Sequence, residues 1–242
     1  MLAFWPALAL GSFVNVVAAR VPQRRSVVHP RSACMSCKTE LAWYDNIPVI
    51  SYIALRGRCR SCGVRISPLY PAVELATAGL VAACFVVFGL SGEAVVASFF
   101  CAVLVAVTAT DLTHRIVPNR IVLPAALVVL LAQTALDPSP EWLIGALAAS
   151  GFLFIAAIAY PAGMGMGDVK LALLLGAMLG YLVGVGLMIG MVAALVPSVY
   201  LLARHGAAAR KMGIPFAPFL AFGAIVALFA GQVIFDAYLS AF

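Results

Sequence analysis

Eight apolar runs, separated by short polar breaks, take up most of this chain, at about 2–19, 70–90, 94–110, 121–136, 142–162, 169–183, 185–203 and 219–239. A helix needs roughly 17–25 residues to cross a bilayer. Inside lipid, backbone amides and carbonyls must bond within their own segment, so runs of this kind fold as helices. Of the 242 residues, 64% are hydrophobic and only 10% charged, far below the roughly one-quarter charge that covers a soluble domain. A water-soluble globule is excluded. The expectation is an all-α polytopic membrane protein with about eight transmembrane helices. The fourth and sixth runs are short, and a tilted, lengthened or re-entrant path would fit them to the bilayer.

The net charge of +6 points to loops held against anionic membrane lipids, and no nucleic-acid partner is expected. No Lys or Arg precedes the first run, whereas Arg20, Arg24 and Arg25 follow it. That is the reverse of a secretory signal, so residues 1–19 read as an uncleaved first span that enters the cytosol at its C-terminal end. With eight spans, the inner segments are 20–69, 111–120, 163–168 and 204–218. Together with the adjoining Lys170 they hold all 15 Lys and Arg. The outer segments, near 91–93, 137–141 and 240–242, hold none and carry Glu93, Asp137 and Glu141. This sorting follows the positive-inside rule. A single span over 169–203 would put Arg204, Arg210 and Lys211 outside, so a turn near Gly180 to Gly186 is expected. Three parts result: the first helix 1–19, a cytosolic loop domain 20–69 and a membrane core 70–242.

Ionisable groups at membrane depth are costly and mark functional sites. Asp111 closes the third span in ATATDLTHRIVPN, and Asp168 opens the sixth in GMGMGDVK. Both fall at the inner boundary. Two facing aspartates can share one proton. One then takes a proton from water while the other gives one to a leaving amine, as in aspartic proteolysis. Gly163, Gly165 and Gly167 would free the backbone and let an extended peptide approach, with Lys170 in support. Blander readings stand beside these: an Asp at a helix start also serves as a cap, Lys170 as an inner-face anchor, and His114 as an interfacial residue. The non-enzymatic alternative is a carboxylate-gated membrane transporter with the cysteine loop as a regulatory cap. It would call for acids near the bilayer midplane and broken helices, and no midplane acid is evident.

The loop 20–69 carries two Cys-x-x-Cys knuckles, Cys34/Cys37 and Cys59/Cys62, with 21 residues between them. Two such knuckles supply four sulfurs suited to a tetrahedral zinc ion, closed and therefore structural. In a reducing cytosol disulfides are not expected. A loop of about 50 residues has little core of its own, and a metal would staple it. Between the knuckles, LAWYDNIPVISY gathers aromatic and polar groups, either a turn packed at the lipid headgroups or part of a second active site. Cys84 and Cys101 read as small apolar residues within spans.

Taken together, GSFVNVVAARVP at 11–22, CMSC, LAWYDNIPVISY, LRGRCRSCGVRISPLYPAVEL at 55–75, TDLTHRIVPN at 110–119, GMGMGDVKLAL and IPFAPFLAFG at 214–223 resemble the bacterial type IV prepilin peptidases. The resemblance covers almost the whole chain, in order and in spacing. It implies that Asp111 and Asp168 are a catalytic aspartate pair. It also implies that the substrates are type IV prepilins or type II secretion pseudopilins, cut at the inner-membrane face between a basic leader and an apolar helix. Members carrying the cysteine loop also methylate the new N-terminus with S-adenosylmethionine, and Asp45, Asn46 and Glu74 are the candidates for holding that donor. The knuckles here lack the proline often found inside them. The loop holds nine Lys and Arg against Glu40 and Asp45, so it would repel a basic leader. That places leader recognition nearer the two acids.

Overall fold

The structure, a computed structural model, describes residues 4–160, 164–206 and 213–241. It is all-helical, and β pairing among the described residues is limited to two isolated bridges, Ala33 with Glu40 and Arg58 with Arg65. The chain forms two compact units, Met1–Thr110 and Asp111–Phe242.

In the first unit, α1 (Phe4–Arg20) runs antiparallel to α3 (Leu69–Phe88). The two approach closely because Gly11 has no Cβ: one placed there would lie 2.7 Å from the Glu74 Cα. Four residues on, the Asn15 amide donates to the Tyr70 carbonyl at 3.0 Å. Val14 and Ala18 pack with Val73 and with Ala102, Val105, Ala106 and Ala109 of α4 (Gly92–His114). Small residues at such a seam let helices touch where lipid gives no hydrophobic drive. Between α1 and α3 lies the cysteine segment, with a 3-10 turn at Trp43–Asn46 and the short helix α2 (Ile50–Ala54).

The second unit holds α5 (Asn119–Leu136), α6 (Glu141–Ala159), α7 (Met166–Leu179), α8 (Val183–His205) and α9 (Ala217–Leu239). α6 and α7 pack antiparallel through Gly145 and Gly176, where a Cβ on either would strike the other's backbone. At the far end of α5, Gln133 donates to the Met178 carbonyl at 3.3 Å. α8 crosses α9 through Gly186 and Gly190 against Gly223, and a Cβ at Gly223 would fall 2.5 Å from the Gly190 nitrogen.

The eight long helices match the eight apolar runs. Six segments are long and apolar enough to cross a membrane: α3, α4, α5, α6, Met166–His205 and α9. The fifth of these breaks at a 3-10 turn, Gly180–Leu182, where Gly180 takes φ 55°. The turn expected near Gly180 is therefore present. α7 has 14 residues, about 21 Å at ~1.5 Å per residue, against a hydrocarbon core of ~30 Å. Two boundaries differ from the sequence reading in ways that matter for the site. α4 continues through Asp111 to His114, and α7 starts at Met166 rather than after Asp168. Charged residues lower a hydropathy run without ending a helix, so both acids sit inside helices.

Candidate active site and cysteine cluster

Asp111 lies one turn before the end of α4. Its Oδ2 accepts a hydrogen bond from the Ala217 backbone N–H at 3.2 Å. Ala217 is the first residue of α9, and the amides of a first helical turn have no partner within their own helix. The carboxylate is thus fixed by a residue 106 positions away. Asp168 occupies the first turn of α7, with its backbone N–H donating to the Gly165 carbonyl at 3.1 Å. Both aspartates are buried to below a tenth exposure.

The two acids line one cavity of about 390 Å³. Arg115, Ile116, Val117 and Asn119, from the connection between α4 and α5, form one wall. Gly165 and Gly167 form another, and Gly213, Ile214, Pro215 and Phe216, leading into α9, form a third. Two buried carboxylates lining one cavity suit proton exchange with a bound water and a scissile amide.

Other predicted residues fall into place around the pair. Gly163 lies outside the described residues. Gly165 has extended backbone, φ −83° and ψ 145°, and neither it nor Gly167 takes the left-handed conformation. Their service is therefore space rather than unusual dihedral angles. A Cβ at Gly167 would come within 2.8 Å of the Val117 Cβ, and one at Gly165 would face the Asp168 Oδ2 at 3.5 Å. Lys170 turns to Asn119, donating from Nζ to Oδ1 at 3.0 Å, which ties the start of α7 to the start of α5. His114 is exposed at the end of α4. Sequence reasoning missed Arg115, Asn119 and the segment 213–217 as parts of the site. A signal was present: IPFAP immediately precedes an apolar run on the same side as the acids.

The second cluster is in the first unit. The sulfurs of Cys34, Cys37, Cys59 and Cys62 all lie within 4.8 Å of one another and can hold a metal ion. Cys34 Sγ is 3.8 Å from Cys62 Sγ, and a tetrahedron with zinc–sulfur bonds of about 2.3 Å has edges of about 3.8 Å. The two knuckles repeat one backbone design. Cys34 N–H donates to the Thr39 carbonyl and Lys38 N–H to the Cys34 carbonyl. Cys59 N–H donates likewise to Val64, and Gly63 N–H to Cys59. The residue after each second cysteine is left-handed, Lys38 at φ 61° and Gly63 at φ 69°. The Thr39 hydroxyl and amide at the Cys37 sulfur hold its thiol down to about 6. Backbone contacts from Cys62 and Ser61 push the Cys59 thiol down as well. Thiolates are the form a metal binds.

The three residues named for a methyl donor have different immediate partners. Asp45 is held in a bidentate ion pair by Arg60, at 2.7 Å in its shortest contact. The Arg60 guanidinium also lies over the Tyr44 ring, 5.3 Å from its centroid. Glu74 is buried in α3 and accepts the Val49 N–H at 2.8 Å. Asn46 lines a separate cavity beside α1.

Residues 6–88 match the bacterial peptidase A24 N-terminal domain, and residues 98–231 match the type IV leader peptidase family. The chain belongs to the type IV leader peptidase family. Its relatives include proteins named prepilin leader peptidase/N-methyltransferase from Bacillus subtilis, Myxococcus xanthus and Pseudomonas aeruginosa. The first is 39% identical, covering 96% of this chain and 94% of the relative. The second is 42% identical, over 84% and 63%, and the third 32%, over 96% and 90%. No solved structure matches the chain. Members of this family are membrane aspartic peptidases, so this chain is an enzyme, and the cavity with two aspartates is its candidate active site.

Proposed function

We propose that this protein removes the basic leader from type IV prepilins or type II secretion pseudopilins at the cytosolic face of the bacterial inner membrane, and then methylates the new N-terminus. The observation that carries the reading is the convergence of Asp111 and Asp168 on one cavity, in a chain of the leader peptidase family. One carboxylate takes a proton from a water held between the pair, the water attacks the scissile carbonyl, and the other carboxylate protonates the departing amine. The Ala217 amide keeps Asp111 aimed through this cycle. Geometry set in advance of reaction lowers the barrier, because no reorientation is left to be done. The segment 213–216, which lines the cavity beside the acids, would lie along an extended peptide bound there.

Zinc suits the four thiolates and would be structural, since they leave no coordination position open. S-adenosylmethionine would supply the methyl group for the second reaction. The transporter alternative loses ground because both acids sit in helix ends at one cavity, joined to the start of α9. The test is coexpression with a prepilin, followed by mass spectrometry of the product. Loss of the leader with gain of one methyl is the expected result. An intact, unmethylated prepilin in the presence of folded protein would reject the reading.

A further inference from the structure

A second cavity, of about 460 Å³, lies in the first unit between the C-terminal half of α1 and the chain from Val27 to Asn46. We propose that it binds the phosphate headgroup of an anionic phospholipid, with the start of an acyl chain running along α1.

The lining divides by depth. Phe13 and Val16 lie on α1, and Arg20 ends that helix; Arg31 and Trp43 come from the cysteine segment. From Phe13 to Arg20 is seven residues, about 10 Å of helix at ~1.5 Å each. That sets Phe13 and Val16 below the guanidinium, where the acyl chain of a phospholipid held by its phosphate would run. Phe13 is half exposed. Trp43, 81% exposed, stands at the rim as interfacial tryptophans do.

Charge decides the ligand. No Asp or Glu lines the cavity. Arg20 reaches only the neutral Ser26 carbonyl, at 3.1 Å. Among the described residues the carboxylate ion pair is Arg60 with Asp45, and Arg31 has no carboxylate within salt-bridge distance. Two guanidiniums without counter-charge above an apolar wall match a phosphate on a hydrocarbon chain. The same charge disfavours S-adenosylmethionine, whose sulfonium would meet two cations and no acid. This inference uses the membrane setting and not the catalytic assignment, so either could fail alone.

The test is native mass spectrometry of the full chain in detergent, with phosphatidylglycerol or phosphatidylcholine of equal chain length added. One phosphatidylglycerol should be retained in preference. Arg20→Gln with Arg31→Gln should weaken it about thirtyfold, at ~1 kcal/mol per basic residue. Arg31→Gln alone, at an exposed side chain, should weaken it about fivefold. Arg24→Gln with Arg25→Gln removes equal charge outside the cavity lining and should leave retention within about twofold. The proposal is overturned if phosphatidylcholine is retained equally, or if the two double variants lose lipid alike. It is also overturned if millimolar inorganic phosphate or S-adenosylmethionine displaces the lipid.

Discussion

Asp111 owes its position to an amide far along the chain. The Ala217 N–H is fixed by the start of α9, and a proline could not donate there. Ala217→Pro should therefore lower cleavage by at least about tenfold, the effect of one charge-assisted hydrogen bond, while the protein still inserts. Rates on a purified prepilin in detergent would check this, and an unchanged rate would refute the positioning role. Gly167 is the second sensitive residue. Its Cβ would come within 2.8 Å of the Val117 Cβ, where an extra methyl in tight packing costs ~1–3 kcal/mol. Gly167→Ala should lower the unfolding midpoint as well as activity, whereas Gly165→Ala, whose Cβ would meet the Asp168 Oδ2 at an ordinary contact of 3.5 Å, should affect activity alone. The acids and cysteines were legible in the sequence because charge in an apolar run and paired Cys-x-x-Cys are rare patterns. Ala217 was not, since a backbone amide has no side-chain signature. The sequence could not say which protein groups Asp45 and Glu74 meet; the structure pairs them with Arg60 and with the Val49 amide.

Among the elements, the cysteine segment and the α8–α9 crossing behave differently. The segment carries few buried apolar residues and depends on its knuckles, so a metal bound there contributes folding free energy directly. A strong chelator should open residues 32–66 to hydrogen exchange and leave protection in α4 and α7 near its starting level. Uniform loss in all three would contradict a local staple. Gly63→Ala should weaken metal retention, since φ 69° is costly for any residue with a Cβ. Lys38→Gly, which relieves the same conformation at φ 61° in the other knuckle, should strengthen it by ~0.5–1 kcal/mol. At the crossing, Gly223→Val would push a side chain into Gly186 and Gly190 and should destabilise by ~1–3 kcal/mol. Apolar periodicity could not reveal this, because in lipid the seam is marked by the absence of side chains. The same blindness blurred the ends of α4 and α7. Hydropathy reports where charge begins, whereas the helix continues until its hydrogen bonds stop.

For the molecule as a whole, the proposed eight-span topology would put every Lys and Arg on one side of the membrane, and the ends of α4 and α7 that carry the two acids would open on that side. Cysteine-accessibility labelling in intact cells should find Ser139 reachable from outside and Asn119 only after the membrane is opened; the reverse pattern would overturn the topology. The central claim is that Asp111 and Asp168 work as one unit. It is tested most directly by single-turnover cleavage of a prepilin by Asp111→Asn, Asp168→Asn and the double variant, each shown to be folded by its unfolding midpoint. Groups acting as a unit give non-additive losses, so each single change should abolish cleavage as fully as both together. Cleavage near the unaltered rate by either single variant, or losses that multiply in the double, would contradict it.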